Sequence, residues 1–218
     1  PQSSGAALAF ARQHLGDKPV SAIIFTHAHV DHFGGVLGVT TAKDAAERKL
    51  PIVAPEGFME EATSENVLVG TGMARRSMYQ FGKNLPRSAK GNVDTGLGKD
   101  VVYGLPAILP PTVLIDKPDQ PMVLDGVDFI FHNVPNAESP AELSFSIPDK
   151  KLYDGAENLA QTMHNLLPIR GAKVRDSLRW STYMEQALEH VKDADVYIAS
   201  HNWPIWGNDR IKEFITNY

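Results

Sequence analysis

Residues 25–35 read FTHAHVDHFGG, and His27, His29, Asp31 and His32 fall within one short loop. The chain has eight histidines in all, so three of them so close together call for a chemical reason. Metal binding supplies one. Two histidines two apart in an extended loop project to the same side and can grip one ion. Asp31 and His32, a step further round the turn, then face a second ion close by. Four ligands cannot fill two coordination shells, so the loop requires further histidine or carboxylate ligands from elsewhere. There are no cysteines, which removes thiolates from the choice.

Ligand loops in α/β proteins sit at the carboxyl ends of strands. The run VSAIIFT predicts a strand from Val20 to Thr26 that ends where His27 begins. Three further candidates follow predicted strands: Glu138 in NAESPAE, Glu157 in DGAEN, and His201 at the end of DVYIASH. Glu142 competes with Glu138, or else is a solvated residue at the edge of the strand LSFSI. Charge balance supports such a set. Two divalent cations bring four positive charges, and Asp31, Glu138, Glu157 and one bound hydroxide bring four negative ones.

The remaining elements form an α/β pattern. A helix over GAALAFARQHLG precedes the first strand, a helical turn starts near Phe33, and TTAKDAAERK predicts another helix. PIVAP (51–55) predicts a buried strand, and 57–82 a mainly helical stretch. Residues 83–121, rich in Gly, Pro and Lys, predict a long excursion. MVLDGVDFIF predicts a hairpin turning at Asp125-Gly126. LSFSIP and KLYDG predict two strands around PDK. A helix over 174–191, the strand DVYIASH and the terminal helix NDRIKEFITNY complete the chain.

The 218 residues suffice for one sizeable domain, with 43% hydrophobic and 22% charged residues, as in ordinary globular chains. A net charge of −5 without a basic cluster argues against nucleic acid as a partner. No apolar run is long enough to span a membrane. The start at Pro1, directly before a helix, suggests a piece of a longer protein, so compartment stays unknown.

THAHVDHFGG resembles the signature of the metallo-β-lactamase superfamily. IVAPEGFMEEATSENV, MARRSMYQFG, GLGKD, NAESPAE, AENLAQTMHNLLPIRGAKVRDSLRW and ASHNWPIWG resemble its alkylsulfatase branch, the linear alkyl (SDS-type) sulfatases. This resemblance runs from about residue 20 to 207. It implies an αβ/βα sandwich with two zinc ions in a cleft at one sheet edge; manganese or iron would also suit so carboxylate-rich a site. By resemblance His27, His29 and Glu138 hold one ion, Asp31, His32 and His201 the other, and Glu157 bridges them. Glu138 is thereby favoured over Glu142.

The implied reaction is hydrolysis of alkyl sulfate esters by a metal-bound hydroxide, with Asp31 and Glu157 as the catalytic carboxylates. Arg170 and Arg175 in IRGAKVRD are expected to meet the sulfate, since guanidinium forks match oxyanions, and Tyr103 to hydrogen-bond it. Alternatives are another ester (phosphoester, thioester or lactone) or an inactive fragment. The chain departs from the family at Thr71-Gly72, at Gln80 and Phe81, and at Asn202, where a second histidine is usual. The family also carries N-terminal strands, a helical dimerisation domain and a sterol-carrier-like domain outside this sequence. Residues 1–218 are therefore expected to be one partial catalytic domain of a homodimer, and a periplasmic or secreted location fits the resemblance.

Overall fold

The computed structural model describes residues 1–96, 98–100 and 104–218. Tyr103 lies outside the described residues. Strands β1 (Ile23–Ile24), β2 (Ile52–Pro55) and β3 (Val113–Ile115) form a parallel sheet in that order. A second sheet runs β4 (Gln120–Leu124), β5 (Val127–Asn133), β6 (Leu143–Ile147), β7 (Leu152–Asp154), β8 (Val196–Ile198), β9 (Ile205–Trp206). Its neighbours are antiparallel except β7 and β8, which run parallel.

Side-chain alternation along the strands builds the layers. Val53 of β2 faces inward with Ile115, Leu124, Phe131, Leu143 and Phe145, the apolar seam between the two sheets. Its neighbours Ile52 and Ala54 face the other way. They pack with Phe25 and with Phe33 of helix α2 (Val30–Phe33), Ala45 of α3 (Ala42–Glu47) and Phe58 of α4 (Phe58–Thr63). On the far side, Tyr153 and Tyr197 pair across β7 and β8. They pack with Ala187 of α6 (Ser177–His190) and with Ile211 and Ile215 of α7 (Asn208–Asn217). Helix, sheet, sheet, helix is the layering expected of an αβ/βα sandwich.

The hairpin falls at Asp125-Gly126, with φ of 51° and 76°, the left-handed pair that a tight two-residue turn requires. Several expectations need correction. The first strand contracts to two residues, because the chain must leave the sheet early to bring His27 to its edge. The helical stretch 57–82 is broken: a π-helical turn at Ser64–Leu68 separates α4 from α5 (Gly70–Gln80). The excursion 83–121 hides β3, which pairs with β2, and the start of β4. Two prolines before a three-residue strand disguised it. The strand β9, in PIWG, was not foreseen. Helix α1 (Gln2–Leu15) matches the opening expectation.

Candidate metal centre

The two sheets meet where the histidine loop leaves β1. Leu143 donates its N–H to the Thr26 carbonyl at 2.8 Å, and His27 forms an isolated antiparallel bridge with Glu142. Glu138 follows β5, Glu157 follows β7 and His201 follows β8, so four strand ends open on one point. The backbone there is unusual. Asn136, Ala156 and His201 hold positive φ of 64°, 51° and 63°, conformations that non-glycine residues adopt only when their surroundings enforce them. Gly155, just before Ala156 in DGAEN, is needed because a Cβ there would strike the Tyr197 hydroxyl.

All seven candidate ligands converge. His27, His29, Glu138 and Glu157, all buried, offer ligand atoms lying within 4.8 Å of one another, and Asp31, His32 and His201 form a second such group. Glu157 Oε2 stands between the two, 3.0 Å from His27 Nε2, 2.9 Å from His32 Nε2 and 3.4 Å from His201 Nε2. Glu138 Oε2 lies 2.9 Å from His29 Nδ1 and 3.8 Å from His27 Nε2. The His32 and His201 Nε2 atoms are 3.0 Å apart.

The electrostatics are those of a centre with excess negative charge. Burial penalises a charge on His32, yet the carboxylates of Asp31 and Glu157 carry its pKa up to about 10. A proton on that ring answers the same field that a cation would. Burial and the neighbouring His32 push His27 down to about 4, leaving a neutral imidazole with a free lone pair. Burial works against ionised Glu138 and Glu157, but the surrounding histidines hold Glu138 near 2 and Glu157 well below the usual range. His27 Nε2 and Glu138 Oε2 are buried with close neighbours, Glu157 Oε2 at 3.0 Å and His29 Nδ1 at 2.9 Å, yet neither contact has the alignment of a hydrogen bond, an expensive condition that a shared metal ion would relieve. The donor set therefore fits divalent cations.

A second cluster, Asp119, His132 and His190, also brings ligand atoms within 4.8 Å of one another but differs in geometry. The His132 and His190 rings stack at 3.7 Å with 22° between planes. Stacking keeps the lone pairs of the two rings in separate, nearly parallel planes, a poor arrangement for gripping one ion. His132 Nδ1 is also 2.6 Å from Asp119 and its Nε2 3.0 Å from the Ser146 hydroxyl, so both nitrogens are already engaged.

The two arginines are placed differently from each other. A terminal Arg170 nitrogen lies 3.2 Å from His29 Nε2 and 3.9 Å from Glu65 Oε2, at the rim of the centre. Arg175 is buried. Its guanidinium donates to the side chain and carbonyl of Glu138 and to the Asn165 carbonyl and side-chain oxygen. Its donors are thus committed to Glu138 and Asn165, whereas Arg170 stands at the rim. Glu142 is likewise not a solvated edge residue, because its exposure is 0%. Burial, with Glu138 close by, pushes its carboxyl well above the ordinary range, while hydrogen bonds from backbone N–H groups, that of Ser139 among them, favour the ionised form.

Two residues at the centre had escaped sequence reasoning. His164 Nε2 lies 3.2 Å from Glu138 Oε1 and 3.2 Å from Glu157 Oε1, spanning the outer oxygens of both carboxylates. Glu65, in the π-helical turn, approaches His29 Nε2 at 3.9 Å. His164 follows Glu157 by seven residues in a segment without periodicity. Its only signal was its place in the stretch that carries the resemblance. A cavity of about 240 Å³ opens beside them, lined among others by Gln80, Phe81, Met163, His164, His201 and Asn202. Three of the positions that depart from the family pattern thus line it. Gln80 accepts the Arg170 N–H at 2.9 Å, and Asn202 accepts the Gln161 N–H at 2.6 Å.

Comparison with known proteins agrees with the fold and the branch. The chain is 43% identical over 213 residues to a linear primary-alkylsulfatase from Pseudomonas sp, covering 97% of this chain and 32% of that protein. It is 41% identical over 204 residues to the alkyl/aryl-sulfatase BDS1 of Saccharomyces cerevisiae, covering 93% and 32%. It superposes on the stereoselective inverting sec-alkylsulfatase Pisa1 from Pseudomonas sp. with a TM-score of 0.92 at 41% identity, covering 97% of this chain and 34% of that one. The chain thus spans about a third of the length of the curated relatives it matches. A metallo-beta-lactamase from Pontibacter korlensis shares the fold at 15% identity and a TM-score of 0.53. The family model of the metallo-beta-lactamase superfamily matches residues 2–201, and the chain belongs to that superfamily.

Proposed function

We propose that the protein is a dinuclear zinc hydrolase that cleaves alkyl sulfate esters to alcohol and sulfate. The observation that carries this reading is the convergence of seven ligand side chains in two groups about Glu157, with an arginine at the rim. His27, His29 and Glu138 would hold one ion, Asp31, His32 and His201 the other, and Glu157 would bridge them. Ions bound there would acidify a water and neutralise the sulfate ester's charge, and manganese or iron would serve the same purpose.

The chain's own residues supply the rest. Asp31 and Glu157 are the carboxylates beside the reacting water, which they orient by accepting its hydrogens. Arg170 offers a guanidinium to the sulfate oxygens. Tyr103, outside the described residues, remains a proposed hydrogen-bond donor to the same group. The alkyl chain is served by exposed apolar side chains: Met163, which lines the cavity beside His164, and Leu167, Ile169 and Trp203, which lie within three residues of His164, Arg170 or His201 in the chain. Identity of 40% to 43% with proteins named alkylsulfatases supports the sulfate ester over a phosphoester, thioester or lactone.

A substrate panel tests the proposal. Purified protein given dodecyl sulfate, an alkyl phosphate, a thioester and a lactone should release sulfate fastest. Turnover of a non-sulfate ester alone would remove the assignment.

A further inference from the structure

Glu142 belongs to neither ligand group, yet it contacts three of the segments that carry the candidate ligands. Its side chain is fully buried. One carboxylate oxygen, Oε2, accepts the Ser139 N–H at 3.0 Å, and the other, Oε1, accepts the Glu157 N–H at 3.1 Å. Ser139 directly follows Glu138 in the chain. The two hydrogen bonds therefore tie the main chain beside one proposed ligand to the main chain of the other. The same residue grips the third ligand-bearing strand end, through its bridge to His27, and its carbonyl accepts the Val134 N–H at 2.9 Å.

Both oxygens thus face backbone donors rather than the imidazoles, so the carboxylate acts on the centre through other residues. The loops it joins belong to different strands: Glu138 follows β5 and Glu157 follows β7, with β6 between them. Glu142 stands one residue before β6. A rigid acceptor pair at that point fixes how far apart the two loops sit, and with them the two glutamates. A carboxylate is needed for this, because an amide accepts with one atom only and sets an NH2 group against the other N–H.

We propose that Glu142 is a positioning residue whose carboxylate, through the Ser139 and Glu157 N–H groups, sets the spacing of Glu138 and Glu157 and so the affinity of the centre for metal. The proposal rests on the metal-centre reading above. Its chemistry is that of the outer hydrogen-bond partners of metal ligands, whose loss typically weakens binding about 10–100-fold.

The test compares wild-type protein with Glu142→Gln and Glu142→Ala. Each is stripped of metal, then titrated with zinc against a competing chelator, and the stripped forms are melted by circular dichroism. Glu142→Gln should bind zinc about 10–100-fold more weakly than wild type, and Glu142→Ala at least as weakly. The stripped Gln variant should still melt cooperatively within a few degrees of stripped wild type. The cobalt-loaded Gln variant should show an altered visible spectrum. Zinc affinity equal to wild type in the Gln variant overturns the proposal. So does loss of affinity in both variants accompanied by loss of cooperative melting in their stripped forms, which assigns Glu142 to the fold alone. Failure of wild-type protein to take up zinc would instead strike the metal-centre reading.

Discussion

Arg170 and Arg175 lie five residues apart in IRGAKVRD, and their surroundings give them different work. Arg170 stands at the rim, beside His29 and Glu65. A charge-assisted hydrogen bond to a sulfate oxygen contributes about 1.5–3 kcal/mol, so Arg170→Ala should lower kcat/KM for an alkyl sulfate by about 10–100-fold. Turnover of a neutral lactone, if measurable, should fall far less, and equal losses on both would contradict the assignment. Arg175 pairs with Glu138 where both side chains are almost wholly excluded from water. Removing one partner of such a pair leaves a buried charge, so Arg175→Leu should destabilise the protein by about 3–5 kcal/mol, read from urea unfolding. A variant as stable as wild type would show that the pair is dispensable. That the seven candidate ligands would come together was legible, because spacing and position after strands are properties of sequence, and the family resemblance chose Glu138 over Glu142. The difference between the two arginines was not, because burial is decided by which loops pack together.

At the scale of elements, the second sheet is tied to its surroundings by His132 on β5, with Asp119 before β4 on one side and His190 at the end of α6 on the other. Burial, and the facing His190, push His132 down from 6.5 to about 4. Between those values the unfolded chain carries a proton that the folded chain does not. Its contribution to stability is thus present above about pH 6.5 and lost as pH falls toward 4. His132→Gln should therefore flatten the decline of the urea midpoint between pH 7 and 4.5, and identical slopes would contradict this. The strand β3 shows where sequence reasoning failed. Only three residues long, it draws its stability from pairing with β2 and from Ile115, which is fully buried between the sheets. Ile115→Ala should destabilise by about 2–5 kcal/mol; a cost below 1 would mean that β3 is peripheral. Its three residues offer too short a pattern for periodicity to register, and its partner is sixty positions away. The hairpin at Asp125-Gly126, by contrast, is local, and local chemistry sufficed.

Across the whole molecule, the centre is where the two sheets are fastened. The candidate ligands come from the ends of β1, β5, β7 and β8, so ions there would cross-link both halves of the sandwich. Ions that bind the folded chain alone stabilise it in proportion to the logarithm of their concentration over the dissociation constant. Without them, the carboxylates of Glu138 and Glu157 stand together in a low-dielectric interior, each 3.2 Å from His164 Nε2. Chelation should therefore lower the thermal midpoint by several degrees, and restored zinc should return it. Elemental analysis of the purified protein, run beside sulfate release from dodecyl sulfate, is the most direct test of a dinuclear hydrolase. The proposed function predicts two ions per chain, with release lost on chelation and recovered as the second ion returns. Less than one ion per chain, or sulfate release indifferent to chelator, would contradict it.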